Sequence, residues 1–135
     1  MRRRTQHGVT LIELLTVMAV VAILAALAMP SYRQYMIRTK RTSAKTALTQ
    51  TAQLLERCFT RLNAYDNAGC AVVLPFTTPD GIYQITGALT PTTYTLTATP
   101  QGRQTADTQC AALTLDQAGQ EGTSGTLPAT ECWPR

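Results

Sequence analysis

The sequence predicts an α+β chain: one long N-terminal helix, apolar in its first half, packed through its second half on a small antiparallel sheet of three to four strands. Three observations predict it. Val9 to Met29 is a 21-residue run with one ionisable group, Glu13. Beyond Pro30, apolar residues recur at Ala44, Leu48, Ala52, Leu55, Phe59 and Leu62, spaced by three and four as on one helix face. From Gly81 onward the apolar period falls to two, the spacing of a half-buried strand.

The charge is as segregated as the hydropathy. Residues 1–8 carry +3, 9–30 carry −1, 31–62 carry +6 and 63–135 carry −4, within a net +4. This reads as a basic leader, an apolar segment, a basic stalk and a mildly acidic head. A length of 135 residues suits one domain, and 6% aromatics give the head a modest core. A large enzyme, a multidomain receptor and a fully disordered chain are disfavoured.

The first element is the apolar run. At about 1.5 Å per residue it is roughly 30 Å long as a helix, the thickness of a bilayer core. Arg2, Arg3 and Arg4 before it favour a cytoplasmic N-terminus, although bases also follow it. An ordinary secretory signal peptide is the competing reading, with Ala26-Leu27-Ala28 as its small-x-small site. Two features oppose that reading: the helical pattern continues past Pro30, and Glu13 stands beside the apolar stretch, where export needs no acid. Burying a carboxylate in a membrane costs on the order of 3 kcal/mol, so Glu13 requires a partner. With no base nearby in the run, that partner is expected on another chain or on a free amino terminus.

Gly8-Val9-Thr10-Leu11-Ile12-Glu13, with Pro30 behind it, resembles the class III signal of type IV prepilins. The resemblance implies cleavage by a prepilin peptidase between Gly8 and Val9 and N-methylation of Val9. It also implies assembly roles for Glu13 and the helix-kinking Pro30. Val9 departs from the usual first mature residue, Phe. The physical logic agrees. A cut at Gly8–Val9 gives Val9 a cationic amine that can pair with Glu13 of a neighbouring chain, and a buried carboxylate is tolerable when so paired. Such a head-to-tail contact fixes axial register and builds a filament. Residues 1–8 are then the leader, 9–29 the transmembrane and filament-core helix, 30–62 the second half of the long helix, and 63–135 the head.

Pro30 is expected to kink or locally melt the helix. Past it, Arg38, Arg41 and Lys45 stack on one face. They read as a solvated face, as contacts to lipid headgroups, or as a nucleic-acid contact. The helix is expected to stop at the turn formers Asn63 to Gly69. Strands are expected at Ile82, Tyr83 and Ile85; at Tyr94 to Thr99; at Ala111, Leu113 and Leu115; and, as a fourth, near Gly119 to Gly122. Pro79-Asp80-Gly81 and Thr90-Pro91 supply turns. Helix followed by antiparallel sheet is also the pilin fold that the resemblance implies.

Cys58, Cys70, Cys110 and Cys132 form no C-x-x-C pair, and His7 in the leader is the single histidine. Metal ligation is therefore disfavoured, and an even count in a small exported domain reads as disulfides. Three connectivities are open. The favoured one joins Cys58 to Cys70, tethering the helix end to the next loop, and Cys110 to Cys132, closing a loop around the Gly-rich stretch 119–125.

No nucleophile–base pair, phosphate loop or paired carboxylates appear, so no enzyme activity, cofactor or metal is expected. Cys110-x-x-Leu113-Thr114-Leu115, the Gly-rich loop and Cys132-Trp133 are similar to the PilE-type minor pilins and the ComP-like DNA-uptake pilins. The leading expectation is a minor pilin that enters or primes a pilus serving twitching motility, adhesion and DNA uptake. Its partners are then prepilin peptidase, an inner-membrane assembly platform, lipid before assembly and other pilins through the N-terminal helix. It would sit single-pass and N-in in the inner membrane, head outward, and then in the extracellular pilus. A pilus-displayed DNA receptor is the alternative. Loss of the leader leaves a net charge of only +1, and the acidic head disfavours strong DNA binding by itself. A type II secretion pseudopilin shares the N-terminus but commonly clusters acids for calcium, whereas the head acids here are scattered.

Overall fold

Helix α1 (Leu11–Leu62) begins where the sequence supplies a cap and ends where a left-handed residue turns the chain. The computed structural model describes residues 8–133, so residues 1–7 of the leader, with His7, lie outside the described residues. The chain forms two compact units that divide between Met36 and Ile37.

In the first unit the apolar positions of α1 are bare. Leu11 is 77% exposed and Leu27 70%. An 18-residue window of this helix reaches a mean hydropathy of 2.6 with none of it buried. Among the described residues it is the one helix long and apolar enough to cross a membrane. Pro30 lies inside α1 with helical residues on both sides, so local melting is not observed.

In the second unit α1 is one-sided. Ala44, Ala47, Leu48, Ala52, Leu55 and Cys58 are buried, and Leu48 and Leu55 are wholly so. Phe59 packs at the margin of this core, while Leu62, expected within it, is 38% exposed. Leu62 ends α1, and Asn63 takes φ 56° while its N–H caps the Phe59 carbonyl at 2.7 Å. Asparagine tolerates that left-handed conformation better than most residues.

The sheet has five strands in the order of the chain, all neighbours antiparallel: β1 (Phe76–Thr77), β2 (Tyr83–Leu89), β3 (Tyr94–Pro100), β4 (Leu113–Asp116) and β5 (Glu121–Thr123). Four match the expected segments. β1 is additional, and its two residues are too few to show a period. Alternation sorts the faces. Tyr83, Ile85, Tyr94, Leu96, Ala98, Leu113 and Leu115 point into the core shared with α1. The register sets Ile85 opposite Ala98 and Leu96 opposite Leu115. The outer face is threonine-rich, with Thr97 between Thr86 and Thr114. Ala111 is not in β4, because its φ of 50° takes it out of the extended region.

Two disulfides close the ends, Cys58–Cys70 across 12 residues and Cys110–Cys132 across 22. Loops of this length constrain the unfolded chain by about 3 kcal/mol each in the chain-entropy model. The second disulfide works with backbone bonds from Gly125 to Cys110 (3.1 Å) and from Leu127 to Gln109 (2.9 Å). A Cβ at Gly125 would lie 2.1 Å from the Gln109 carbonyl oxygen, so only glycine allows this approach. Trp133 is buried and donates its indole N–H to the Gly122 carbonyl at 3.0 Å. A 3-10 helix (Gly102–Ala106) and a short α2 (Ala129–Cys132) complete the unit.

Candidate assembly site and candidate nucleic-acid interface

The N-terminal candidates sit at the start of α1. Gly8, Val9 and Thr10 precede the helix and are exposed. Thr10 and Glu13 then form a capping box. The Thr10 backbone N–H and hydroxyl both donate to Glu13 Oε2 at 2.9 Å, and the Glu13 N–H donates back to Thr10 Oγ1 at 3.3 Å. This corrects the expectation that any partner for Glu13 must come from outside its own chain segment. The spacing Thr-x-x-Glu was visible in the sequence, and it is the signal that names the partner. Glu13 Oε2 carries both of these bonds, and among the described residues no donor meets the other carboxylate oxygen. Pro30 lies further along the helix and is exposed, at the end of the apolar run.

The basic trio of the stalk is not one face. Arg38 is exposed and Lys45 is half-buried, but Arg41 is 3% exposed. The Arg41 guanidinium grips Asp107 through Nε–Oδ2 at 2.7 Å and Nη2–Oδ1 at 2.8 Å. This bidentate geometry is the strong form of a charge-assisted pair. Gln104 joins it, donating from Nε2 to the Ile37 carbonyl at 3.1 Å and to the Tyr83 hydroxyl at 3.0 Å. Asp107 Oδ1 also accepts the Cys110 N–H at 3.2 Å. Arg41 is therefore withdrawn as a lipid or nucleic-acid contact. It lies on the buried stripe with Ala44 and Leu48, and its charge is consumed by Asp107, 66 residues away. Nothing local in the sequence marks Asp107 or Gln104 as its partners.

The hydroxyls around the core respond to the same burial. Desolvation pushes the Tyr83 phenol up to about 12, against a lowering contribution from the Gln104 hydrogen bond. Tyr94 and Tyr65 are also raised, by desolvation and by Glu56, whose carboxylate accepts both phenols. Their rings meet edge to face with centroids 4.9 Å apart, and Phe59 stacks on Tyr65 at 4.6 Å. Asp80 is partly desolvated, which would raise its carboxyl, yet hydrogen bonds from Thr78, Ser43 and the Ile82 N–H outweigh that and hold it below the usual range.

A cleft of about 650 Å³ runs between α1 and the segment 71–79, lined by Thr42, Thr46, Gln50, Leu54, Val73 and Phe76 among others. A second, of about 440 Å³, adjoins it through Leu54, Ala71 and Val72 and carries Arg57 and Arg61. In the sequence these two arginines stand out only as part of the stalk's charge, and their spacing of four places them on one helix face. Among the described residues no group of His, Cys, Asp and Glu gathers as a metal site.

A profile described as the prokaryotic N-terminal methylation motif matches residues 3–29. The second, described as "Type IV minor pilin ComP, DNA uptake sequence receptor", matches residues 30–114. A solved type IV pilin from Shewanella oneidensis is 27% identical over 73% of this chain and 99% of its own, with a TM-score of 0.50. The non-core minor pilin PilV of Neisseria meningitidis is 21% identical over 67% of this chain and 89% of its own, with a TM-score of 0.52, a likeness of fold. No curated protein sequence matches the chain. The apolar helix and the methylation motif fit a membrane-anchored pilin that becomes part of a pilus. With more than half its length inside the second profile, the chain belongs to the family of the type IV minor pilin ComP, DNA uptake sequence receptor.

Proposed function

We propose that this minor pilin is cut between Gly8 and Val9, N-methylated on Val9, and carried into a type IV pilus as a receptor for DNA. Residues 1–8 act as leader, 9–29 as membrane and filament-core helix, 30–62 as stalk and 63–135 as head. The observation that carries the reading is the abutting pair of family matches, a methylation motif to residue 29 and the minor-pilin profile from residue 30. The exposed Gly8–Val9 bond outside the helix supports the cleavage step, since a peptidase needs an unwound substrate. In the membrane Thr10 satisfies part of Glu13. In the filament the Val9 amine of a neighbouring subunit completes it, and Pro30 lets the helix adjust its packing. Arg38 and Lys45 lie beyond the apolar run and contact anionic headgroups before assembly.

The family is one of structural subunits, so the work done is binding and assembly. Purified chain in mild detergent is expected to retard duplex DNA at low salt and to release it as salt rises. No retardation at low salt sinks the receptor reading and leaves the minor pilin.

A further inference from the structure

We propose that Arg57 and Arg61, at the distal end of α1, form a phosphate-binding clamp for DNA. The inference rests on the DNA-receptor reading above and gives it a site. The two side chains are one helical turn apart, with Cβ atoms about 5–6 Å from each other. Both are exposed, and both line the 440 Å³ cleft with Leu54, Cys58, Ala71 and Val72. A surface arginine pair near a helix C-terminus has an ordinary explanation, the favourable interaction with the helix dipole. Three observations carry this pair further.

First, neither arginine is in an ion pair among the described residues, where Arg41–Asp107 is the one salt bridge of an arginine. Second, the acid nearest in sequence, Glu56, is engaged by the Tyr65 and Tyr94 phenols and so is held on the aromatic cluster. Third, the two walls of the cleft are covalently tethered. The Cys58–Cys70 disulfide ties the helix that carries the arginines to the loop that leads into Ala71 and Val72. A pair of guanidinium groups one helical turn apart, with no ion pair among the described residues, beside an open cleft is complementary to phosphates of one strand. The overall acidity of the head is then no obstacle, because the contacting charge lies on the helix.

The test is the salt dependence of binding to a labelled duplex oligonucleotide by the full chain in detergent, for wild type, Arg57→Gln, Arg61→Gln, the double variant, and Arg103→Gln as an exposed control on the 3-10 helix. Each phosphate contact contributes about 0.9 to the slope of log K against log salt. Each clamp variant is expected to flatten the slope by about 0.9 and the double variant by about 1.8, equally on unrelated sequences, with Arg103→Gln unchanged. Arg57→Lys with Arg61→Lys should keep the wild-type slope, because the slope counts charges on phosphates. If the wild type binds and the double variant keeps its affinity and slope, the clamp is wrong and the receptor reading stands. If the double variant loses affinity for anionic lipid vesicles and not for DNA, the pair is a headgroup site and the clamp is wrong. If the wild type fails to bind duplex DNA at low salt, the receptor reading falls and takes the clamp with it.

Discussion

Leu14 and Leu48 belong to the same helix and meet opposite surroundings. Leu14 is 61% exposed, and Leu48 is wholly buried between α1 and the sheet. Burying a leucine contributes about 1.5–3 kcal/mol, so the second unit uses its leucines to fold. The first unit leaves a column of them uncovered, which in water would be an aggregation hazard and in a bilayer or a bundle of like helices is the binding surface. The two regions also handle charge differently. Glu13 makes short-range bonds to Thr10 within one turn, whereas Arg41 reaches an acid 66 residues away. One carboxylate is arranged by hydrogen bonds within a single turn, and the Arg41–Asp107 ion pair is closed and buried.

The comparison breaks most completely at the N-terminal unit. Gly8→Ser is expected to leave only uncleaved precursor, seen as the larger band on immunoblots, with no subunit in sheared filaments. Glu13→Ala is expected to insert normally in the membrane and be absent from the filament fraction, and its presence there at wild-type level would remove Glu13 from assembly. Neither change should alter unfolding of the head.

In the second unit, Asp107→Ala strands the buried Arg41 charge and is expected to cost about 3–5 kcal/mol, read by urea unfolding in mild detergent. Leu48→Ala is expected to lose about 2–5 kcal/mol by opening a cavity, and Leu14→Ala to stay within about 0.5 kcal/mol of wild type in the same assay. Equal losses at Leu14 and Leu48 would contradict the division of the helix.

The smallest effects are in pH. Tyr83 has a raised value in the fold, so its contribution is complete below about pH 10, the ordinary tyrosine value, and is lost as the pH rises towards about 12. Asp80 has a lowered value, so its contribution is present above the ordinary aspartate range and is lost as the pH falls through the depressed one. Asp80→Asn should weaken the acid arm and leave the alkaline one.

Much of this was legible because it is local. Hydropathy marks the apolar helix, period two marks β2 to β4, and Gly8, Glu13 and Pro30 carry the signal motif. What escaped the sequence is long-range or very short. β1 has two residues and no period. Arg41 reads as one of three stacked bases until Asp107 is brought to it, and then it is a core residue. Leu62 continues a perfect spacing but falls where the helix stops. The Thr10–Glu13 capping box is the exception, since its Thr-x-x-Glu spacing is local and stands in the letters.

Processing at Gly8–Val9 is tested most directly by the N-terminal residue and intact mass of the protein recovered from cells. The expected result is a chain that starts at N-methylated Val9 and lacks residues 1–8. A chain that starts at or near Met29 would contradict it, because the segment assigned to the filament core would then be a discarded signal peptide.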